Sequence, residues 1–326
     1  MTASNTEVWQ LATVCEVVDV ATGIRRIVVE PDLPLRARPG SHLDVMVTVG
    51  ETRQRRSYSI VDSTTHGDRL AITVLAAPQS RGGSTFMHSL GVDDRIEVTQ
   101  PLQNFPLRIG ADRYLLLAGG VGITAIAAMA EVLRAQGADY TLIYAGRSRN
   151  VMAYLDELQA VHGARLQAHI RDEGTRLVVA DLLGEAGSNT ELYMCGPIRL
   201  MDEVRRQWTE RGLSLPNLRY ETFGSSGWHD PQEFVVRIPR LGVETVVDKN
   251  QTMLEALERA GVEMMFDCRR GECGLCEVRI LEIDGEVDHR DVFYSERQRD
   301  ATARMCCCVS RVARTGDRAV VSIEVT

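Results

Sequence analysis

Three of the eight cysteines in this 326-residue chain lie in one short segment, at a spacing that suits a metal centre. Cys268, Cys273 and Cys276 follow the pattern C-x4-C-x2-C, and a run of three more cysteines, Cys306–Cys308, comes later. Three clustered thiols with a distant fourth are the plant-type ligand pattern of a [2Fe–2S] cluster, in which four thiolates hold two irons. A zinc site with four cysteines usually shows paired cysteines on both sides. The spacing therefore predicts an iron–sulfur cluster, with zinc as the alternative.

The fourth ligand stays open on the residues alone. The loop between the two groups of cysteines can absorb a shift of two residues at little entropic cost, so spacing does not separate Cys306 from Cys308. If this run is a strand, Cys306 and Cys308 face one side and Cys307 faces the other, which makes Cys307 the weakest candidate. We expect Gly271 and Gly274 to let the backbone fold closely around the sulfurs.

A [2Fe–2S] cluster takes one electron at a time, whereas NAD(P)H gives two. A chain that uses both needs a flavin to connect them. The cysteine pattern therefore leads us to expect a flavin site and a nicotinamide site in the rest of the chain.

Two glycine turns are candidates for the nicotinamide site. The segment AGGVGIT, Ala118–Thr124, lies between a predicted strand and a predicted helix, where glycines allow close approach to a pyrophosphate. The segment MCGPIRLM places Cys195–Pro197 after another strand, which we expect at the far edge of the same sheet. A turn that only serves packing is the alternative for each.

Two segments are candidates for the flavin site. RRSYSI offers the guanidinium groups of Arg55 and Arg56 for a phosphate, the ring of Tyr58 for a flavin face and the Ser59 hydroxyl for a ring nitrogen. SRGGST, Ser80–Thr85, adds Arg81 and a two-glycine turn whose N–H groups suit a phosphate. The alternative is a strand with a polar face followed by a solvated loop.

Composition excludes some classes of function. A net charge of −8 argues against nucleic acid as a partner. The N-terminus lacks the features of a signal peptide, and the uncharged stretch Tyr114–Ala130 is too short and too glycine-rich for a membrane helix. We expect a cytoplasmic protein with no membrane partner, in which clustered cysteines are ligands rather than disulfides.

The elements that must position these residues fall into three segments. The first ~110 residues predict an antiparallel barrel, with strands at 24–30, 42–49, 56–61, 69–76 and 94–99. The next segment alternates strands with helices, which is typical of a parallel α/β sheet: strands at 114–118, 141–145, 166–170 and 191–195, helices at 124–137, 152–163 and 200–212. After a linker-like stretch at 224–232 come a strand at 233–238, a helix at 252–261 and a final strand at 318–325. We predict three domains, 1–110, 111–226 and 233–326.

Taken together, the motifs closely resemble the reductases of the phthalate dioxygenase reductase and vanillate O-demethylase reductase family, over essentially the whole chain. The resemblance rests on the cysteine loop and on seven further motifs: R-S-Y-S at 56–59, R-G-G-S at 81–84, GGVGIT at 119–124, CGP at 195–197, ETFG at 221–224, GEVDHRD at 285–291 and CVSR at 308–311. It implies a multidomain β, α/β and α+β fold: an antiparallel flavin-binding β-barrel, a parallel α/β nucleotide-binding domain and a C-terminal β-grasp ferredoxin domain.

The resemblance also implies which residues form the sites. FMN would be held by Arg56, Ser57, Tyr58 and Ser59, with Arg81, Gly82, Gly83 and Ser84 at its phosphate and Phe223 near its ring. NAD(P)H would be bound by Gly119, Gly120, Gly122, Ile123, Thr124, Arg147, Cys195, Gly196 and Pro197. The family's last cluster ligand is followed by x-S-R, which matches Cys308–Arg311, so the resemblance selects Cys308 to join Cys268, Cys273 and Cys276. The C-terminal ferredoxin and the R-G-G-S loop favour FMN over FAD.

The implied function is the reductase component of a two-component Rieske-type oxygenase, either an aromatic acid dioxygenase or an O-demethylase. Electrons would pass from NADH through FMN and the cluster to the oxygenase, with no side chain acting as nucleophile or base. The resemblance favours NADH, whereas Arg147–Arg149 follow the second strand of the nucleotide domain, where the 2′-phosphate of NADPH would lie. The alternatives are a stand-alone NAD(P)H-dependent redox protein or sensor and a non-redox protein with a zinc-ordered tail. We expect a monomer.

Overall fold

The structure is a computed structural model that describes residues 7–50, 52–77, 80–184, 186–223, 227, 229–301, 303–316 and 319–325. The chain divides into two compact units. The first comprises residues 1–196 and 207–221, and the second comprises residues 197–206 and 222–326. The predicted linker 224–232 falls partly outside the described residues, and the domain boundaries at 110, 226 and 233 remain predictions.

A closed antiparallel barrel forms the start of the first unit. Its strands are β1 (Trp9–Ala21), β2 (Ile24–Pro31), β3 (Ser41–Val49), β4 (Thr52–Ser63), β5 (Leu70–Leu75) and β6 (Arg95–Thr99), with α1 (Gly83–Ser89) before β6 and the short β7 (Leu102–Gln103) after it. The strand order is β4-β5-β2-β1-β6-β3, and β3 pairs with β4 to close the ring. Leu43, Val45 and Val47 alternate along β3 and are fully buried, as a strand with one face on the core requires.

A five-stranded parallel sheet forms the rest of the first unit. Its strands are β8 (Arg113–Gly119), β9 (Tyr140–Gly146), β10 (Leu166–Ile170), β11 (Thr190–Cys195) and β12 (Leu218–Glu221), and its helices are α2 (Ile123–Ala135), α3 (Leu155–His162), α4 (Val179–Gly184) and α5 (Ile198–Glu210), whose first turns belong to the second unit. The order is β10-β9-β8-β11-β12. Tyr114 to Gly119 in β8 are all buried, which explains the uncharged stretch in the sequence as a central strand followed by α2.

A mixed five-stranded sheet in the order β14-β13-β19-β15-β17 forms the core of the second unit. The elements are β13 (Phe234–Ile238), β14 (Val243–Val247), α6 (Met253–Arg259), β15 (Glu277–Asp284), β16 (Glu286–Asp288), α7 (Glu296–Asp300), β17 (Arg304–Cys306), β18 (Arg311–Ala313) and β19 (Val320–Glu324). Thr252 and Glu255 form a reciprocal capping box at the start of α6, which satisfies two backbone N–H groups there. The cysteine loop lies between α6 and β15.

These three sheets confirm the predicted fold class. The predicted strands and helices appear within a few residues of their expected bounds, whereas β1, β7, β12, β14–β18, α1, α4 and α7 are not foreseen by the sequence patterns. No helix in the described part of the chain is long and apolar enough to cross a membrane.

The buried carboxylate of Asp291 accepts hydrogen bonds from residues near it in the sequence and from Ser310, which follows the late run of cysteines. It accepts hydrogen bonds from the Ser310 hydroxyl at 3.0 Å, the Tyr294 N–H at 3.1 Å and the His289 Nδ1 at 3.2 Å. Burial opposes the ionised form, but the hydrogen bonds outweigh it, and the pKa of Asp291 lies below its ordinary value. A depressed pKa means that this stabilisation is present near neutral pH and is lost as the pH falls through the folded-state value.

Replacing Asp291 should therefore loosen this region specifically. We expect Asp291→Ala to leave the hydroxyl and N–H donors without a partner and to cost about 2 kcal/mol locally, because each buried donor that loses its acceptor is costly. Amide hydrogen exchange of the full chain, measured by mass spectrometry, should then be roughly 30-fold faster in peptides spanning 286–313. Asp284→Ala, on the exposed side of β15, is the control and should leave exchange unchanged. Equal protection in the two variants would contradict the role given to Asp291.

Candidate functional site

The cysteine loop is shaped by two glycines in the left-handed region. Gly271 and Gly274 both have φ of +76°, a conformation that side chains rarely adopt. A Cβ at Gly271 would lie 2.5 Å from Val309, and a Cβ at Gly274 would lie 2.3 Å from the Phe293 ring. The sequence-based expectation that these glycines allow a tight loop is confirmed, with the close neighbours as the added reason.

Backbone N–H groups converge on the first cysteine of the loop. The N–H groups of Arg270, Glu272 and Cys273 each donate to the Cys268 Sγ at 3.4 Å. Contact with the Cys308 thiol is the largest cause, and these N–H groups add to it, so that the pKa of Cys268 is lowered to about 4. An environment that favours thiolate is what a metal ligand requires, because the thiolate is the binding form.

Cys308 is the member of the late cysteine run whose thiol contacts both Cys268 and Cys276. The thiols of Cys306 and Cys307 contact Cys276, whereas the thiol that lowers the pKa of Cys268 is that of Cys308. The alternation argument does not apply, because β17 ends at Cys306 and the next three residues form a hydrogen-bonded turn. Cys307 lies in that turn and not in a strand.

In the described ranges, no three His, Cys, Asp or Glu residues are arranged to hold a single metal ion. A binuclear cluster needs only two thiolates on each iron. The donor set of thiols, the N–H groups that favour thiolate at Cys268 and the burial of Cys276 and Cys308 fit such a cluster, whereas burial raises the pKa of Cys273.

Two arginine side chains, Arg311 and Arg290, form hydrogen bonds near the turn that carries Cys308. Arg311 donates to the carbonyl oxygens of Gln232 at 2.8 Å and Asp248 at 3.0 Å. Arg290 donates to Asp288, which lies on β16 opposite Arg311 on β18. The HRD and SR portions of the sequence motifs thus have a structural task, which is to fix the turn that carries Cys308.

Thr222 anchors the cysteine loop from another part of the second unit. Its N–H donates to Glu272 Oε1 at 2.9 Å, and its hydroxyl donates to the Arg270 carbonyl at 2.7 Å. Burial raises the pKa of the Glu272 carboxyl above its ordinary value. Neither Thr222 nor Glu272 was singled out by the sequence analysis, although Thr222 lies inside the ETFG motif. Phe223 follows it and is 38% exposed.

In the first unit, the residues of β4 that were predicted to bind the flavin have side chains on two different faces of the strand. The Arg55 guanidinium pairs with Glu7 and Asp44, and the Ser57 hydroxyl also donates to Asp44. Arg56 lies on the other side, where a Cβ at Gly83 would come within 2.9 Å of its side chain. The structure therefore brings Arg56 to the glycine loop and directs Arg55 and Ser57 away from it.

The R-G-G-S loop is ordered by its own serines. The Ser84 hydroxyl donates to Ser80 Oγ at 2.8 Å, and Gly82 N–H donates to the same oxygen at 3.1 Å. Gly82 has φ of +86° and lies against Val49, so that a Cβ there would come within 2.4 Å of that side chain. Arg81, at the start of this loop, is half-buried.

Ser59 has a buried acidic partner that the sequence analysis missed. Its hydroxyl donates to Glu221 Oε2 at 3.0 Å, and both residues are buried. Glu221 is the last residue of β12 and the first residue of the ETFG motif, and its place in that motif is the signal that could have identified it. Tyr58, next to Ser59, is half-buried, and burial raises the pKa of its phenol.

The two glycine turns of the α/β sheet meet backbone to backbone. A Cβ at Gly122 would lie 2.1 Å from the Cys195 carbonyl oxygen, and a Cβ at Gly196 would lie 3.0 Å from Gly119 Cα. The expectation that Cys195 lies at the far edge of the sheet was wrong, because β11 pairs directly with the central strand β8. The chain reverses its direction of winding between these two strands, and such a switch point is where α/β sheets bind ligands.

The remaining residues predicted to bind the nicotinamide nucleotide lie in or next to these two turns. Gly120 has φ of +54°, Ile123 and Thr124 begin α2 and are buried, and the Thr124 hydroxyl donates to the Val121 carbonyl at 3.0 Å. Pro197 precedes α5, and its carbonyl accepts from Leu200 N–H at 2.9 Å.

The arginines after β9 differ in their partners. Arg149 makes a bidentate pair with Glu173, at 3.0 and 2.9 Å. Arg147 is exposed and has no ion-pair partner in the part of the chain that the structure describes. The Arg149 guanidinium, one of the two predicted to face a 2′-phosphate, is thus already paired with Glu173.

Two family models match parts of this chain. A family described as "2Fe-2S iron-sulfur cluster binding domain" matches residues 236–313, and one described as "Oxidoreductase NAD-binding domain" matches residues 116–206. The first contains all four predicted ligands, and the second contains both glycine turns.

Full-length relatives are similar across most of the chain. The beta subunit of a heme-dependent oxidative N-demethylase from Ectopseudomonas mendocina is 36% identical and covers 83% of this chain and 85% of its own length. A tetrachlorobenzoquinone reductase from Sphingobium chlorophenolicum is 34% identical and covers 93% of this chain and 95% of its own length.

A solved structure of phthalate dioxygenase reductase aligns with a TM-score of 0.73 and 28% identity, over 96% of this chain and 98% of that one. Its title describes electron transfer from pyridine nucleotides to [2Fe–2S]. With its NAD-binding domain and its C-terminal [2Fe–2S] domain, this chain is an oxidoreductase that belongs to the phthalate dioxygenase reductase and vanillate O-demethylase reductase family.

Proposed function

We propose that this protein is the reductase component of an oxygenase system, which carries electrons from NADH through FMN and a [2Fe–2S] cluster to a terminal oxygenase. The observation that carries the proposal is the contact of the Cys308 thiol with the thiols of Cys268 and Cys276, beside backbone N–H groups that donate to the Cys268 sulfur. With Cys273, which lies in the same loop, they supply the four ligands of the cluster.

FMN is the flavin that suits the first unit. A bound flavin converts the two-electron supply of NADH into the single-electron steps that a [2Fe–2S] cluster accepts. Arg56, beside Gly83, supplies the charge for a single terminal phosphate, and Arg81, Gly82 and Ser84 complete that end of the site. Tyr58 and Ser59 lie further along β4 for the ring, with Glu221 holding the Ser59 hydroxyl, and we assign the backbone of Ser57 to the same cofactor.

NADH is the electron donor in this proposal. The close-packed turns at Gly119–Thr124 and Cys195–Pro197 present backbone rather than side chains to the dinucleotide. The pairing of Arg149 with Glu173 leaves Arg147 to face the ribose, which lowers the positive charge offered to a 2′-phosphate and favours NADH over NADPH.

The partner is a terminal oxygenase, and we propose a Rieske-type one that works with a monomeric reductase. Large apolar side chains of the second unit are exposed around the cysteine loop, where an electron leaves the protein: Met265, Phe266, Leu275 and Phe293. Exposed apolar groups gathered at one place suit contact with a protein.

A second candidate is a stand-alone quinone reductase. It is favoured by the tetrachlorobenzoquinone reductase that covers 93% of this chain. The two functions share the path from NADH to the cluster and differ only in the final acceptor.

The first test is a visible spectrum of anaerobically purified protein before and after one equivalent of NADH. We expect flavin bands over a broad iron–sulfur absorption, both bleached by NADH. A flavin spectrum without the cluster envelope would contradict the cluster and, with it, the oxygenase assignment. Steady-state NADH oxidation with a Rieske-type oxygenase or with a benzoquinone as acceptor then separates the two candidates.

The Ser59–Glu221 pair should matter for flavin reduction. We expect Ser59→Ala to slow flavin reduction by NADH about tenfold, the equivalent of one hydrogen bond in the transition state, and Glu221→Ala to slow it in the same direction. Stopped-flow absorbance of the full chain measures the rate. Ser89→Ala, exposed at the end of α1, is the control. Wild-type rates in Ser59→Ala would remove the hydroxyl from the proposed site.

The backbone contact at Gly122 should be needed for NADH binding. A Cβ placed 2.1 Å from the Cys195 carbonyl forces the two turns apart, so we expect Gly122→Ala to raise the KM for NADH roughly tenfold or more. Gly184→Ala is the matched control, because a Cβ there meets nothing within 4 Å. Circular dichroism checks that both variants fold. An unchanged KM in a folded Gly122→Ala protein would show that the turn is not part of the nicotinamide site.

A further inference from the structure

The loop that follows β9, residues 147–154, ends in a residue with a strained backbone. Tyr154 has φ of +62°, in the left-handed region, where an aromatic side chain is an outlier. Strain of this kind persists only where the surrounding structure holds the residue in place. The same loop begins with the exposed Arg147, which the proposed function places at the ribose of NADH. The contacts that hold this loop therefore bear on how the nucleotide is bound.

Two hydrogen bonds fasten the loop to the barrel of the first unit. The Tyr154 hydroxyl shares a hydrogen bond with the hydroxyl of Thr73, a residue of β5 that is 4% exposed. In the turn between β1 and β2, the Thr22 N–H donates to the Asn150 carbonyl at 2.8 Å. One of these bonds joins side chains and the other joins backbones, so a substitution of Tyr154 or Thr73 can remove the first and leave the second.

Apolar packing holds the loop from the other side. Met152 and Ala153 are buried in one cluster with Ile24, the first residue of β2. A Cβ at Gly146, the last residue of β9, would lie 2.4 Å from the Met152 side chain, so the end of the strand lies directly against the loop. Because Arg147 follows Gly146, the position of its side chain depends on how the loop is held.

A second buried tyrosine lies in the same cluster and lacks such a bond. Tyr144, on β9, is 0% exposed, and its hydroxyl has no hydrogen-bond partner within the ranges that the structure describes. It packs in the cluster that contains Met152. Tyr144 and Tyr154 therefore allow the effect of a buried ring to be separated from the effect of a hydrogen-bonded hydroxyl.

We propose that Tyr154 and Thr73 are positioning residues for the nicotinamide nucleotide, because their hydrogen bond holds the loop 147–154 so that Arg147 faces the adenosine ribose. The inference rests on the proposed function, since it requires a nucleotide bound at this end of the sheet. It adds that a strand of the barrel contributes to nucleotide affinity. The adenosine ribose does not react, so the bond stabilises the bound nucleotide and the transition state equally and affects binding rather than the limiting rate.

The test removes each hydroxyl of the pair in the full-length protein. Isothermal titration calorimetry with NAD⁺ measures the affinity, and stopped-flow absorbance measures the limiting rate of flavin reduction by NADH. We expect Tyr154→Phe and Thr73→Val each to weaken NAD⁺ binding about fivefold, the equivalent of one hydrogen bond, with an unchanged limiting rate. The double variant should bind no more weakly than either single variant, because both changes remove the same bond. Circular dichroism checks folding, and either single variant suffices for the test.

Two further variants identify the route of the effect. Tyr144→Phe is the matched control, because it removes a buried hydroxyl without a described partner, and it should leave NAD⁺ affinity unchanged. In an Arg147→Ala background, Tyr154→Phe should weaken binding no further, because the hydrogen bond acts through Arg147.

Wild-type NAD⁺ affinity in folded Tyr154→Phe and Thr73→Val proteins would overturn the proposal. Equal weakening by Tyr144→Phe would overturn it as well, because it would report repacking of the cluster rather than a lost hydrogen bond. A loss that persists in full in the Arg147→Ala background would show that the bond does not act through Arg147, and the proposal would fail. A wild-type protein that binds no NAD⁺ would instead refute the nucleotide site of the proposed function itself.

Discussion

The cluster site depends on holding two segments together that are far apart in the sequence. The turn that carries Cys308 is held to the cysteine loop by the Cys307 N–H, which donates to the Cys276 carbonyl at 3.1 Å, and the Asp291 carboxylate accepts from the Ser310 hydroxyl beside that turn. Asp291 also lies against Gly271, where a Cβ would come within 2.8 Å of its Cα. Val292 N–H, next to Asp291, donates to the Gly271 carbonyl at 2.9 Å, so the segment around Asp291 is hydrogen-bonded to the cysteine loop as well as to the turn. Replacing any of these groups leaves a buried polar group without a partner, which is far more costly than an exposed loss.

The nucleotide site depends on a different constraint, the close approach of two backbone turns. Parallel strands β8 and β11 lie side by side and end at the same edge, so the turns that follow them must share the space beyond it. Glycine at positions 122 and 196 makes that possible, because a side chain would collide with the opposite backbone. The surface left there consists largely of backbone groups, which suits the recognition of a phosphate chain.

The chain passes from the first unit to the second between Glu221 and Thr222, and each of these residues is hydrogen-bonded within its own unit. Glu221 is hydrogen-bonded to Ser59 within the first unit, and Thr222 is hydrogen-bonded to Glu272 and Arg270 within the second. Each unit thus fixes the end of the connecting segment that belongs to it. The first two residues of the ETFG motif are explained by these contacts, since an apolar residue at 221 could not accept from Ser59 and one at 222 could not donate a hydroxyl to the Arg270 carbonyl.

The sequence by itself determined the class of chemistry, because thiol spacing, glycine turns and the order of strand and helix patterns are local properties that a chain carries without folding. It did not determine which late cysteine meets the loop, where Cys195 lies in the sheet, or that Ser59 has Glu221 as a partner 162 residues away. These were decided by the tertiary structure, because the end of β17 at Cys306, the pairing of β11 with β8 and the position of β12 depend on contacts between distant segments. Alternation along an assumed strand failed at Cys307 for the same reason: the chain leaves the sheet there to form a turn that Arg311 and Asp291 hold in place.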